Sequence, residues 1–195
     1  MQVTKKFLTI VAMLLASANF IYVHAQDPPP PPPPPAKDYF PDTWDEYSYP
    51  GQFRIRFPQK PTESTAKQED FQVHSLEHKG LIIYRVSYVD YRGSIDDPKK
   101  VKEMLQGMKA AALNSVRDKA RLITERDIVV DGYSGVFLHV EVEGKEVIRI
   151  QWVYAAPRLY TISATSRKGS PQELEGKDDF EKIAMGFISS FHVLR

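Results

Sequence analysis

Between Leu122 and Ser166 four strand-like runs follow one another, and each is cut from the next by a turn signal too short to hold anything else. The runs are Leu122 to Val130, Gly135 to Val142, Glu146 to Ala155 and Arg158 to Ser166. Val136, Leu138, Val140 and Val142 alternate with their neighbours, and Val147, Arg149, Gln151 and Val153 share one phase of the next run. Asp131-Gly132, Gly144-Lys145 and Ala156-Pro157-Arg158 stand at the joints. Parallel neighbours need a crossover of a dozen residues or more, so these joints can only be hairpins. An antiparallel meander is therefore expected in the second half of the chain.

Further strands are expected upstream. Phe53, Ile55 and Phe57 alternate with Arg54 and Arg56 and stop at Pro58, which predicts a half-buried strand with its arginines outward. A second strand carries Phe71 and Val73, and His78-Lys79-Gly80 reads as the next turn. Leu81 to Tyr91 is a third strand, and its run Leu81-Ile82-Ile83-Tyr84 reads as buried on both faces. Asp97-Pro98 then supplies a cap and a first helical residue. Val101, Met104, Leu105, Met108, Ala112 and Val116 recur at helical spacing as far as Arg117. A polar stretch from Arg167 to Lys177 precedes a second helix, whose stripe is Phe180, Ile183, Ala184, Phe187, Ile188 and Phe191. The order predicts an α+β fold, with two main helices on an antiparallel sheet of about six to seven strands.

The amino-terminal part concerns address rather than fold. Lys5 and Lys6 precede an apolar run from Phe7 to Val23, and Val23-His24-Ala25 ends it as a signal peptidase site would. Residues 1–25 are thus expected to be a signal peptide cut after Ala25, and the protein to be exported, periplasmic or extracellular. A run of 17 residues also reaches the lower edge of a bilayer span. The competing reading is an uncleaved membrane anchor; Asn19, Tyr22 and the Val-His-Ala ending favour cleavage. Residues 26–37 form a proline-rich spacer. Pro28 to Pro35 must be polyproline II, a rod of about 25 Å. It reads as a spacer more than as a ligand for a proline-binding groove, because a pure proline run lacks flanking basic residues. Residues 38–195 make one domain.

The totals exclude several classes. The chain has no cysteine, so a disulfide framework, a thiolate metal site, a cysteine nucleophile and a bacterial lipoprotein anchor are all ruled out. Its formal charge of +1 becomes −1 once the two signal lysines are removed. An evenly mixed surface gives no footprint for nucleic acid or for an anionic membrane, and Lys99-Lys100-Val101-Lys102 reads as a solvated helix face. No cofactor is indicated.

The candidate constellations are weak. His74 and His78 flank Glu77 at a spacing that holds zinc on a helix, but they sit near a strand end, where surface histidines are expected. His139 and Glu141 share a phase opposite Leu138 and Val140, which suggests an outward pair. Gly132-Tyr133-Ser134-Gly135 lacks the Gly-x-Ser-x-Gly spacing of a nucleophile elbow, and a strand follows it rather than a helix. Asp90, Asp96 and Asp97, and likewise Glu141, Glu143 and Glu146, read as turn acids rather than a calcium site. An aromatic cluster, Tyr39, Phe40, Trp44, Tyr47 and Tyr49, opens the domain, and Trp152, Tyr154 and Tyr160 could meet across adjacent strands. Tyr39, Phe40, Trp44, Tyr47 and Trp152 are the expected protein-contact residues.

Four stretches carry a family resemblance. Phe53-Arg54-Ile55-Arg56-Phe57-Pro58, Tyr84-Arg85-Val86-Ser87-Tyr88, Arg158-Leu159-Tyr160-Thr161-Ile162 and Phe187-Ile188-Ser189-Ser190-Phe191-His192-Val193 are short hydrophobic motifs. Together they resemble the PsbP-like family, named for an extrinsic subunit of photosystem II, over roughly Tyr47 to Leu194. The resemblance implies an α-β-α sandwich, a fold shared with a small eukaryotic protein that binds the GTPase Ran. It also implies a non-enzymatic assembly or docking role, and it supplies no catalytic residues. The proline stalk stands where photosystem-specific sequence would lie, so no photosynthetic role is carried over.

The reading that follows is an exported binding or assembly module whose partner is another exported or envelope protein. Two alternatives stay open. One is a hydrolase using His139 and Glu141, or His74 with an acid. The other is a small-ligand or lipid carrier with its cavity between the Val101–Val116 helix and the sheet. The amino-terminal reading has a direct check: the intact mass of the exported protein should correspond to a chain beginning at Gln26, whereas a product that keeps residues 1–25 would make them an anchor.

Overall fold

A computed structural model describes residues 44–49, 52–68, 71–91, 94–115, 120–142, 146–166 and 177–194. The signal, the proline spacer, Tyr39, Phe40, the Pro50-Gly51 and Gly144-Lys145 turns and most of the 167–177 loop lie outside these residues. Ten strands and two helices are described. They are β1 (Asp45–Tyr49), β2 (Phe53–Phe57), β3 (Thr62–Gln68), β4 (Phe71–Lys79), β5 (Ile82–Asp90), α1 (Pro98–Ser115), β6 (Ala120–Val130), β7 (Tyr133–Val142), β8 (Glu146–Ala155), β9 (Arg158–Ser166), α2 (Lys177–Ser189) and β10 (His192–Val193). The α+β class holds, and the meander runs β6 to β9 as its turns require.

Seven strands form one sheet in the order β3-β4-β5-β9-β8-β7-β6, with every neighbour antiparallel. The opening strand does not join it. β2 pairs with β1 and β10 in a separate three-stranded sheet, a division the single-sheet expectation missed. Arg54 and Arg56 do point away from the core, as their alternation with Phe53, Ile55 and Phe57 predicts.

The local chemistry explains the joints. Asp131 and Gly132 take φ values of 50° and 89°, the left-handed pair that a tight hairpin turn demands. Gly135 follows for a different reason: a Cβ there would lie 2.3 Å from the Trp152 carbonyl oxygen. The Lys99 amide donates to Asp97 Oδ1 at 2.9 Å, so Asp97 caps α1 as expected. Arg158 Nε and Nη2 donate to the two carboxylate oxygens of Asp90 at 2.5 and 3.0 Å, clipping the start of β9 to the end of β5.

Both faces of the large sheet are covered. On one side Val101, Met104, Leu105, Met108 and Ala112 of α1 lie on Val136, Leu138, Ile150, Trp152 and Leu159. On the other side α2 and the small sheet enclose an aromatic layer of Trp44, Phe53, Phe57, Tyr84, Tyr88, Phe187 and Phe191. The Phe187 ring stands 5.0 Å from Tyr84 and 5.3 Å from Phe57, so a single α2 side chain touches both sheets. No helix of the described residues is long and apolar enough to cross a membrane.

That geometry sets an expected cost. Phe187→Ala opens a cavity at the junction of two sheets and a helix, and should destabilise the fold by about 3–5 kcal/mol in urea denaturation. A loss below about 1 kcal/mol would mean the sheets do not lean on this residue.

Candidate functional site

The expected contact residues divide. Trp44 is 6% exposed, and its ring packs 5.1 Å from Tyr84 and 6.4 Å from Phe187. Trp152 is 1% exposed beneath α1. Both are core residues, which corrects their assignment to a contact surface: each lies at a helix–sheet interface that removes its ring from water. Tyr47 is half-buried, edge-on to Phe57 at 5.8 Å. Trp152, Tyr154 and Tyr160 do not meet as a patch. Trp152 and Tyr154 face α1, where the Tyr154 hydroxyl accepts from the Ile95 amide at 2.9 Å, while Tyr160 joins the aromatic layer on the opposite face.

The histidines are also accounted for. His74 lies within β4 and His78 one residue from its end, and each faces an aromatic of β5: His74 stacks on Tyr88 at 4.8 Å and His78 on Tyr84 at 6.2 Å. Four residues along a strand separate them by about 13 Å, too far for one ion. His139 is 8% exposed, not outward, and stands in the sheet between Thr124 of β6 and Arg149 of β8. Its Nε2 is 4.0 Å from Glu141 Oε1, and Glu141 accepts from Arg121 Nη2 at 2.8 Å. A general base needs reach to a substrate proton, and this pair is held in the sheet by its neighbours instead. Among the described residues no three His, Asp or Glu side chains gather to hold a metal. The space that the carrier reading needs lies beneath α1, where Met108 (0%), Leu105 (2%) and Trp152 (1%) are buried.

One buried charge escaped the sequence. Arg149 shares a strand phase with Val147, Gln151 and Val153, and it is 2% exposed under α2. Its Nη2 donates to Glu181 of α2, the Phe180 ring lies 5.7 Å from Cζ, and Nε and Nη1 have no hydrogen-bond partner among the described residues.

Two surface features remain. The first is β6, an eleven-residue edge strand that is exposed along most of its length. The exposed large apolar side chains among the described residues are Leu122 (37%), Ile123 (37%) and Val129 (73%), and all three belong to this strand. A bulge at Ile123 sits between the Leu122 and Thr124 registers. The strand's own charges are already engaged. Lys109 and Lys102 of α1 reach Glu125 and Asp127, Arg121 pairs with Glu141, and Arg126 stacks over Phe137 at 4.6 Å. The opposite edge, β3, has the sequence Thr-Glu-Ser-Thr-Ala-Lys-Gln and presents no large apolar side chain. Edge strands are usually blunted by polar and charged residues, and β6 carries such residues but exposes three large apolar side chains among them.

The second feature is a polar cleft of about 440 Å³ beside the small sheet, lined by Glu46, Arg54, Arg56, Lys182, Gly186, Ser189, Ser190 and His192. β2 supplies both arginines and β10 sets His192 directly opposite Arg54. The Asp131 carboxylate fixes that end of the cleft, accepting from the Val193 amide at 2.8 Å and lying 3.3 Å from His192 Nδ1. The outward alternation of Arg54 and Arg56 was the only part of this cleft visible in the sequence.

No family model and no curated protein matches the chain. The solution structure of cyanobacterial PsbP from Synechocystis superposes with a TM-score of 0.52 at 13% identity, covering 76% of this chain and 91% of that one. A crystal structure of a Pseudomonas aeruginosa protein of unknown function, described as a putative regulator, matches with a TM-score of 0.36 at 16% identity, over 68% of this chain and 88% of that one. At such identities the first likeness is one of fold. The chain has the PsbP-like fold that its four short motifs predicted.

The pair of buried Arg149 with half-exposed Glu181 yields the prediction here. Glu181→Gln leaves the Arg149 guanidinium buried without its counter-charge and should cost about 1–3 kcal/mol, whereas Arg149→Met removes the charge and keeps the volume, and should cost less. Urea denaturation of both variants decides, and a larger loss for Arg149→Met would show that Glu181 is not what holds the arginine.

Proposed function

We propose that the protein is an exported, non-enzymatic docking module, and that it docks by adding an extended segment of a partner protein to the free edge of β6. The observation that carries this reading is the concentration of the exposed large apolar side chains of the described residues on one long edge strand. An unpaired edge supplies a row of main-chain donors and acceptors, and alternate side-chain positions supply selectivity. The fold shared with cyanobacterial PsbP supports the non-enzymatic part, and the signal-like first 25 residues support export.

The partner's chemistry follows from charges already matched. Glu125, Asp127 and Arg121 are each ion-paired within the chain and Arg126 stacks over Phe137, so most of the strand's charge is already engaged and an incoming strand is best made of uncharged, β-branched residues. A second copy of β6 is the competing occupant, and it is disfavoured in the registers centred on the charged middle of the strand. In a two-fold antiparallel pair, residues opposite each other share a face. Centring that pair on Glu125, Arg126 or Asp127 sets Glu125 against itself, Arg126 against itself with Glu125 beside Asp127, or Asp127 against itself. Like charges directly opposite destabilise a strand pair.

A displayed library of extended peptides, panned on the native chain and then measured against variants, tests the proposal. Selected peptides should be uncharged and β-prone, and Leu122→Lys with Val129→Lys should weaken them about tenfold or more. The same substitutions sit on exposed positions and should change stability by no more than about 0.5 kcal/mol each. Peptides that bind the double variant as well as the native chain would overturn β6 as the docking element.

A further inference from the structure

We propose that the cleft between the small sheet and α2 binds the dianionic head of a phosphate monoester. Its walls bring together Arg54 and Arg56 from β2 and Lys182 from α2, with Glu46 of β1 as the one carboxylate. Three cations against Glu46, with the Asp131 carboxylate behind His192, leave a formal charge of +1, which favours an anion over a neutral ligand. Guanidinium forks suit the paired oxygens of phosphate, and a neighbouring ammonium adds a point charge.

The Arg54 charge is poorly used within the chain. The Arg54 Nη1 to Glu46 Oε2 separation is 4.0 Å, longer than a hydrogen bond, and the two side chains are 46% and 47% exposed. Such an exposed, stretched pair contributes little to stability. The hydroxyls, by contrast, are occupied: Ser190 Oγ donates to the Phe187 carbonyl at 2.7 Å and accepts from the Arg56 amide at 3.1 Å, and Ser189 Oγ donates to the Gly186 carbonyl at 3.1 Å. They fix the turn from α2 into β10, and the cations hold the anion.

Position is held as well as charge. Arg54 and Arg56 stand on one face of a strand whose other face, Phe53, Ile55 and Phe57, is no more than 1% exposed. His192 is set across from Arg54 by β10 and steadied by Asp131. At about 440 Å³ the cleft falls within the usual range of small-molecule sites, about 300–1,000 Å³, so it has room for an organic group beyond the phosphate. Its polar lining suits a hydroxylated group such as a sugar.

The phosphate could arrive on a soluble compound or on a lipid headgroup, and the experiment separates the two. Calorimetry on the native chain at low salt uses glucose 6-phosphate, with glucose as the uncharged control. Saturable binding of the phosphate ester alone is expected. Arg54→Gln and Lys182→Gln should each weaken it about tenfold, while Lys102→Gln, an exposed lysine paired with Asp127 on the β6 edge, should leave it unchanged. Arg54 and Lys182 are surface residues, so both variants keep the fold. In the second arm, flotation with phosphatidylcholine vesicles containing phosphatidic acid reports the lipid source. Vesicle binding that Arg54→Gln removes and glucose 6-phosphate displaces would assign the phosphate to a lipid in the same cleft. Absence of saturable binding in both arms would overturn the proposal. So would equal weakening by Lys102→Gln, or vesicle binding that glucose 6-phosphate leaves intact.

Discussion

The fold rests on an aromatic layer trapped between two sheets and a helix. Phe53 lies 5.8 Å from both Tyr160 and Phe191, and Phe187 touches Trp44, Tyr84 and Phe57. These rings come from β2, β5, β9, α2 and the segments flanking β1 and β10. The small sheet has only three strands, and β10 gives it two residues, so hydrogen bonding alone would not keep it in place. Burial of large rings does, with edge-to-face contacts adding to the area removed from water. The chain has no cysteine, and no disulfide shares the task.

Much of this was legible because it depends on period and punctuation. The meander from β6 to β9 follows from three turns, and the bounds of β8 and β9 are those the sequence suggests. Asp97-Pro98 and Asp131-Gly132 act in the structure as their residue types require. What was hidden depends on partners. β3 carries no apolar alternation because a polar edge strand needs none, and β1 is recognisable only beside β2. The second sheet is a question of which strand pairs with which, and β10 arrives from the far end of the chain to complete it.

The same limit governs the functional residues. Trp44 and Trp152 looked like surface aromatics because a tryptophan near a chain start, or in an alternating strand, does not announce which layer will cover it. His139 looked outward because alternation assigns it the face opposite Leu138 and Val140, and on that face Phe137 and Val153 are buried in the same cluster as the α2 side chains. In a sandwich with both faces of the sheet covered, polar phase no longer means solvent. The edges are the exception. There the sheet ends, and the exposure of Leu122, Ile123 and Val129 becomes informative since no element of the described chain lies over them.

Two functional surfaces thus share one scaffold. β6 lies at the free edge of the large sheet, and its hairpin turn reaches across to β10 through Asp131, which steadies the end of the basic cleft. The docking reading stands on β6, and amide hydrogen exchange of the native chain with and without a saturating selected peptide tests it most directly. The account predicts slowed exchange concentrated in residues 120–130, where new strand hydrogen bonds form, with β3 unchanged. Protection confined to another surface, with β6 exchanging as before, would contradict it.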